Sequence, residues 1–324
     1  MKTEGNLQFF IYGESMKIKY SNFIIKGNKQ LSMFNNKELL GKIIITNNVL
    51  NISFVDEINN KYFGVFNSMI LNHLFKKFNY EQIIVNYNLI KRNDFYFINK
   101  YDTFLFDIDD TILDFVKAEK NALTIALSKV GLKVTPLILK DYHEINTRYW
   151  DMYYKGIISR KQCLVDRFKE FFEKYNINED PVKFDDFYRS FLNDQAFIKK
   201  DAKALLKKLN KKNYKVYAIT NGVLKIQKDR MKKANINRFF IKSYISDEMG
   251  VGKPDIKFIE YIDNEIHLDY KKTLIIGDLI SSDIKLGNNC NIDTCWLNNK
   301  FEENDSNIKP TYTINLLKEL VDRL

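Results

Sequence analysis

Asp107 and Asp109 stand two residues apart at the end of an apolar run, Thr103–Ile108. A second run, Tyr214–Ile219, ends in Thr220-Asn221-Gly222, and a third, Thr273–Ile276, ends in Gly277-Asp278, with Asp283 five residues on. Lys253 lies between the second and the third, ahead of Pro254. Phosphoryl transfer asks for these residue types: an oxygen nucleophile, a proton donor for the leaving alkoxide, a cation against the phosphate charge, and fixed donors on the phosphoryl oxygens. Asp107 can attack phosphorus. Asp109 can reach the same pocket once the chain leaves strand geometry, protonate the leaving group, and then activate water. Hard oxygen ligands suit Mg²⁺; Asp107 and Asp278 supply two carboxylates, and Asp109 and Asp283 are further candidates as metal ligands. For Asp283 two other roles stay open, orienting Lys253 and capping the helix after Ser282. The Thr220 hydroxyl, the amides around Asn221 and Gly222, and the Lys253 ammonium are the donors expected on the phosphoryl oxygens. Four carboxylates gathered without a cation would repel one another, so metal and lysine also explain how such a site folds.

Each piece alone is ordinary. Asp-x-Asp is common in turns and caps, Thr-Asn-Gly is a frequent turn sequence, and proline suits a first helical turn. What brings them together is the elements that carry them. Continuous apolar runs of this kind are strands of a parallel sheet buried on both faces. Helical patterns at Ala202–Leu209, Leu224–Ala234 and Ile256–Ile266 supply the crossovers, and Lys253 is expected to open the last of these. That is a doubly wound α/β core, in which ligands gather at the carboxyl ends of the strands. Between the first and second strands the chain is helical throughout, at Ala118–Val130, Pro136–Tyr154, Arg160–Tyr175 and Phe184–Leu192. Such an excursion is too long for a crossover and is expected to form a separate helical cap, at about residues 115–195.

Asp107-Ile-Asp-Asp-Thr111, Thr220-Asn-Gly222, Gly252-Lys-Pro254 and Gly277-Asp278 with Asp283 resemble, in order, the four motifs of the haloacid dehalogenase superfamily. Asp110-Thr-Ile-Leu-Asp-Phe115 with Glu119, Asp293-Thr-Cys-Trp296, and Trp150, Gly156, Arg160 and Arg167-Phe168 of the cap resemble one of its subgroups, the house-cleaning 5′-nucleotidases acting on pyrimidine nucleoside monophosphates. The resemblance implies a Mg²⁺-dependent phosphomonoesterase working through an aspartyl phosphate on Asp107, with Trp150 and Arg160 contacting the substrate. A sugar-phosphate phosphatase or a phosphomutase on the same scaffold stays open, as does a core kept as a binding module. Retention of Asp107, Asp109, Lys253 and Asp278 together speaks against the last. Leu279 departs from the subgroup, which reads serine after Gly-Asp.

Residues 1–98 have another texture. Short runs rich in Ile, Phe, Tyr and Val, such as Gln8–Tyr12, Ile18–Ile25, Lys42–Thr46, Val49–Phe54 and Glu81–Tyr87, read as strands. Asn47-Asn48 reads as a hairpin turn, and Phe66–Phe78 has helical spacing. A small β-rich amino-terminal domain over 1–98, ahead of a catalytic part over 99–324, is the expected organisation. The amino-terminal part resembles no family and is the expected place for an unidentified partner.

The chain has 51 Lys and Arg against 41 Asp and Glu, a formal charge of +10. Residues 1–100, with 13 basic and 7 acidic residues, carry +6 of it. The lysines are spread along the chain and form no nucleic-acid footprint; a basic surface suits a phosphate-bearing substrate equally. No apolar run approaches the ~20 residues of a membrane-spanning helix, and a cytoplasmic protein is expected. Cys163, Cys290 and Cys295 make no disulfide framework and have no histidine partner for zinc.

Overall fold

The structure is a computed structural model that describes residues 88–324 continuously. Before residue 88 it describes positions 8–10, 17–19, 29–35, 38–46, 49–54, 68, 71, 72, 75, 76 and 82–85. Contacts divide the chain into two units, Met1–Lys100 with Lys318–Leu324, and Tyr101–Leu317. The sequence reading runs the catalytic part to residue 324; by contacts its last seven residues group with the first unit.

In that first unit, β1 (Gln8–Phe10) pairs with β2 (Lys17–Lys19). Strands β3 (Lys29–Asn35), β4 (Glu38–Thr46), β5 (Val49–Phe54), β6 (Gln82–Val85) and β7 (Asn88–Lys91) form a sheet in that order. Asn47-Asn48 lies outside the described residues, as does most of the expected helix Phe66–Phe78, of which positions 68, 71, 72, 75 and 76 are described as helical.

The second unit is built on six parallel strands. Their order is β10 (Ser243–Ile245), β9 (Lys215–Thr220), β8 (Thr103–Phe106), β11 (Thr273–Gly277), β12 (Asp293–Leu297) and β13 (Tyr312–Ile314). The chain enters at β8, builds outward to β10 on one side, then crosses back to β11 on the other. Strand order thus reverses at β8, the crevice where α/β sheets take ligands. Strands β8 and β11 are buried along their whole length, which is why their sequences, Thr-Phe-Leu-Phe and Thr-Leu-Ile-Ile-Gly, show no alternation. The sequence reading names β8, β9 and β11. It misses β10 and β13, three residues each and too short for a periodic signal, and takes Asp293–Trp296 as a motif, not a strand.

Four helices fill the insertion: α1 (Phe115–Lys129), α2 (Pro136–Tyr154), α3 (Arg160–Tyr175) and α4 (Pro181–Leu192). Their starts are written locally. The Thr135 hydroxyl accepts from the Ile138 amide ahead of Pro136, Ser159 and Gln162 form a capping box, and Asp180 accepts from the Val182 and Lys183 amides. The helices bury an aromatic cluster that includes Tyr142, Phe168, Phe171, Phe172, Phe184 and Tyr188. The Tyr142 and Phe168 rings stack 5.2 Å apart, and each fully buried ring contributes about 1.5–3 kcal/mol. The cap therefore has its own core.

Two linkers join it to the sheet. Leu113 bridges Ile198, the Asp114 amide donates to the Phe197 carbonyl at 2.9 Å, and the Lys199 amide to the Ile112 carbonyl at 2.9 Å. Asp110 turns the chain into the first linker with φ of 58°, a left-handed conformation that Asp tolerates, and its carboxylate accepts from the Phe115 and Val116 amides. The core continues with α5 (Ala202–Lys211), α6 (Leu224–Lys233), α7 (Ile256–Ile266) and α8 (Lys285–Cys290). Lys253 does not open α7. Asp255 accepts from the Lys257 amide and caps the helix, so Lys253 stays in the loop before it. Among the described residues no helix is long and apolar enough to cross a membrane.

Candidate active site

Asp107 follows β8 directly, and its amide donates to the Ile276 carbonyl of β11 at 2.8 Å, which fixes the backbone where strand pairing ends. Its Oδ1 accepts from Lys253 Nζ at 2.7 Å. The same ammonium donates to Asp283 Oδ1 at 2.6 Å and to the Ile219 carbonyl at 3.2 Å, which uses all three of its protons. Burial works to lower the Lys253 pKa, but Asp107 and Asp283 outweigh it and hold the amine above its ordinary range. Burial pushes Asp107 up to about 7, opposed by Lys253 and reinforced by Asp283 and Asp109.

Lys253 is itself held by Asn221. The Asn221 amide donates to the Lys253 carbonyl at 2.8 Å and its Oδ1 accepts the Lys253 amide at 2.9 Å. The Asn221 side chain thus braces the lysine loop. Gly252 allows this approach, since a Cβ there would stand 2.7 Å from Asn221 Oδ1. Thr220 is buried at the end of β9; its Oγ1 accepts from the Gly222 amide and from Gln227 Nε2, each at 3.2 Å. Both acceptor directions are filled, which leaves the hydroxyl proton to donate. The Gly222 amide is spent on Thr220.

Asp278 follows β11 directly, and its carbonyl accepts from Trp296 Nε1 at 2.9 Å. Ligand oxygens of Asp107, Asp278 and Asp283 lie within 4.8 Å of one another. Burial, then the neighbouring charges of Asp107, Asp110 and Asp283, raise the Asp278 carboxyl well above its usual range. Gly277 makes room for the cluster, because a Cβ there would lie 2.2 Å from the Asp283 carboxyl carbon. Three carboxylates faced by one lysine are an anionic surplus made of hard oxygen donors, and a divalent cation such as Mg²⁺ fits that chemistry. Asp283 Oδ2 accepts the Leu279 amide at 3.1 Å while Oδ1 takes Lys253, so this side chain already orients both loops.

Asp109, expected among the metal ligands, has its carboxylate elsewhere. Oδ1 accepts from Arg230 Nη1 at 2.6 Å and Oδ2 from Gln227 Nε2 in a close contact. Sequence reasoning misses both donors. They stand three apart on one face of α6, but only the fold brings them to a residue more than a hundred positions earlier.

A cavity of about 340 Å³ opens over these residues. Asp107, Asp109, Thr220, Asn221, Gly222, Lys253, Asp278 and Asp283 all line it from the core, and His143, Asn146, Trp150, Tyr154, Arg167 and Tyr188 from the cap. Trp150 is half-buried, its ring 5.8 Å from those of Tyr153 and Tyr154. Arg160, expected on the substrate, is not among the lining residues. Its guanidinium donates to the Gly222 carbonyl at 2.8 Å and the Asn221 carbonyl at 3.2 Å and pairs with Asp247, which clamps α3 to the Thr220-Asn-Gly turn. Arg167, adjoining the cavity, is buried in a chain of bonds. Its Nη1 donates to Asn146 Oδ1 at 2.6 Å and its Nη2 to Asp185 Oδ1 at 2.9 Å, while Asn146 Nδ2 donates to Glu119 Oε1 at 2.6 Å. Glu119 also meets His143 Nδ1 at 2.7 Å and raises that imidazole's pKa against the effect of burial.

This geometry agrees with what the chain resembles. Residues 101–291 match the haloacid dehalogenase-like hydrolases. The pyrimidine 5′-nucleotidase PynA of Streptococcus pneumoniae is 33% identical over 225 residues, 69% of this chain and 95% of that protein. The pyrimidine 5′-nucleotidase YjjG of Escherichia coli is 31% identical over 224 residues, 68% of this chain and 96% of that one. The crystal structure of the HAD-hydrolase YfnB of Bacillus subtilis, bound to magnesium, superposes with a TM-score of 0.66 at 32% identity, covering 68% of this chain and 97% of that one. The chain belongs to the haloacid dehalogenase-like hydrolases and is an enzyme of the hydrolase class.

Proposed function

We propose that this hydrolase is a Mg²⁺-dependent phosphomonoesterase that acts on nucleoside 5′-monophosphates, pyrimidine nucleotides foremost, through an aspartyl phosphate on Asp107. The observation that carries the reading is the carboxylate of Asp107, held at one oxygen by Lys253, at the floor of a cavity whose cap wall presents Trp150. With Oδ1 on Lys253, Oδ2 is the attacking atom. It bonds to phosphorus as the ester P–O bond breaks, and Asp109 gives its proton to the departing sugar oxygen. Asp109 then takes a proton from water, the water oxygen bonds to phosphorus, and the P–O bond to Asp107 breaks, which releases inorganic phosphate and restores the site.

Lys253 neutralises charge at the nucleophile and fixes which of its oxygens is free. Thr220 donates its remaining proton to a phosphoryl oxygen. Asp107 and Asp278 would hold Mg²⁺, which on binding supplies charge compensation for the phosphoryl oxygens. Asp283 serves as the brace between Lys253 and the Leu279 amide. The cavity volume falls in the range of small-ligand sites, about 300–1,000 Å³, and the names of two relatives, both pyrimidine 5′-nucleotidases, support the substrate class.

Phosphate release from nucleoside monophosphates, sugar phosphates and an aryl phosphate, with Mg²⁺ and with EDTA, tests the reading. Mg²⁺-dependent release, strongest on pyrimidine monophosphates, is expected. Faster release from sugar phosphates would move the substrate class, and release undiminished by EDTA would remove the metal.

A further inference from the structure

Asp109 is the proton carrier in the reading above, and the following inference rests on that reading. Both its carboxylate oxygens are taken by side chains of the core helix α6. We propose that Gln227 and Arg230 are positioning residues for Asp109, and that Arg230 ties this carboxylate to the linker returning from the cap. Arg230 is 0% exposed and Gln227 1%. Arg230 Nη1 reaches Asp109 Oδ1 at 2.6 Å, and its Nε donates at 2.9 Å to the carbonyl of Gln195, between α4 and the bridge at Ile198. Its guanidinium lies 5.5 Å from the Phe115 ring centre, at the start of the first cap helix. Gln227 Nε2 bonds Asp109 Oδ2 and, at 3.2 Å, Thr220 Oγ1, so one amide sets the proton carrier and a phosphate donor relative to each other. Gly222 leaves the space: a Cβ there would stand 2.1 Å from Gln227 Nε2.

Stability alone does not account for this arrangement. A fully buried guanidinium has a desolvation cost of several kcal/mol, which only complete pairing offsets, and apolar side chains of similar size often serve a core equally well. Arg230 Nη2 and Gln227 Oε1 are buried without a hydrogen-bond partner, so pairing here is incomplete. What the two residues do achieve is orientation. Each carboxylate oxygen has two acceptor directions; α6 occupies one on each and leaves the other for the proton that goes to the leaving oxygen. The bond to Gln195 makes that orientation depend on where the cap linker runs.

The test compares kcat/KM of the full-length protein on a pyrimidine nucleoside monophosphate and on an aryl phosphate with a phenolate that leaves without protonation. Both values stop at formation of the phosphoenzyme, so only the nucleotide reports proton delivery. Arg230→Met is expected to lower kcat and kcat/KM on the nucleotide by roughly 10- to 100-fold and to lower kcat/KM on the aryl ester at least about tenfold less, with partial recovery in Arg230→Lys. Gln227→Leu should show the same asymmetry more weakly, and it carries the comparison should Arg230→Met not fold. Equal loss on both esters, or a loss confined to KM, overturns the proposal: the first marks a structural role, the second a substrate contact. If the wild type hydrolyses neither ester, the functional reading falls. The contact is then tested by thermal midpoints of Asp109→Asn, Arg230→Met and the double variant. Non-additive shifts are expected, and additive ones overturn it.

Discussion

On the core side of the cavity, Asp107, Asp278 and Asp283 sit at or just past the ends of β8 and β11, three carboxylates around the single ammonium of Lys253. On the cap side, Glu119, Asn146, Arg167 and Asp185 lie along helices and bond one to the next. Both walls bury charge, but only one leaves it unbalanced. The cap chain pairs Arg167 with Asp185, which Arg189 also meets, and His143 with Glu119. Its members already have hydrogen-bond partners, and under the proposed function this wall would act by shape and through Trp150. The core cluster has more anionic charge than its lysine can neutralise, and so it has chemistry to offer a cation and a phosphoryl group. The proposed function thus puts reactivity where compensation is incomplete and selection where it is complete.

Four substitutions or conditions separate these roles, taken from the largest expected effect to the smallest. Asp109→Asn keeps shape but not the proton, and turnover of a nucleotide should fall roughly 10²- to 10⁴-fold; a variant as fast as wild type would assign the proton to another group. Lys253→Met leaves Asp107 and Asp283 buried without their cation. It should lower kcat by on the order of 10²–10³ and destabilise by about 3–5 kcal/mol, read by steady-state kinetics and denaturant titration. Unchanged stability would show that another charge compensates the pair. Trp150→Ala should raise KM for nucleotides by roughly tenfold through lost stacking of about 1–3 kcal/mol and leave kcat/KM on a small aryl phosphate within about twofold. A parallel loss on both esters would move Trp150 from selection to the chemistry.

The smallest effect concerns pH. Burial raises Asp107 to about 7 in the folded protein, whereas an unfolded aspartate titrates near ~4. Between these values the folded state holds the extra proton, so without metal the Asp107 contribution to stability falls as pH rises and is level above the window. A cation needs the ionised carboxylate, so stabilisation by Mg²⁺ should grow over the same window. The melting midpoint with Mg²⁺ should exceed that with EDTA by a few degrees near about pH 5 and by roughly 5–10 °C near about pH 8. A gap that does not change with pH would mean that the cation sits away from Asp107.

Much of this was legible in the sequence for identifiable reasons. Parallel strands buried on both faces read as unbroken apolar runs, and the residues around the end of each run fall at the ligand edge by topology, so Asp107, Thr220 and Asp278 could be placed without a structure. Helices α2 and α3 announce their starts through Thr135-Pro136 and through Ser159 with Gln162. What could not be read depends on contacts across the chain. Arg230 looks like one more cation in a lysine-rich helix, and nothing local shows that it is fully buried against Asp109. Arg160 looks available for substrate until the cap is folded onto the core, where the backbone carbonyls of Asn221 and Gly222 take its guanidinium. Asn221 sits in a turn motif whose backbone amides suggest phosphate contact, and nothing local shows that its side chain bonds both to the amide and to the carbonyl of Lys253.

The proposed function requires that Asp107 be phosphorylated during turnover. Acid quenching of the enzyme mixed with Mg²⁺ and a pyrimidine nucleoside monophosphate, followed by mass spectrometry of its peptides, tests it directly. A phosphoryl adduct on the peptide that carries Asp107, acid-stable and base-labile as an acyl phosphate is, and absent from Asp107→Asn together with all turnover, is the predicted result. Phosphate release by Asp107→Asn, or an adduct that maps to another residue, would show that Asp107 is not the nucleophile.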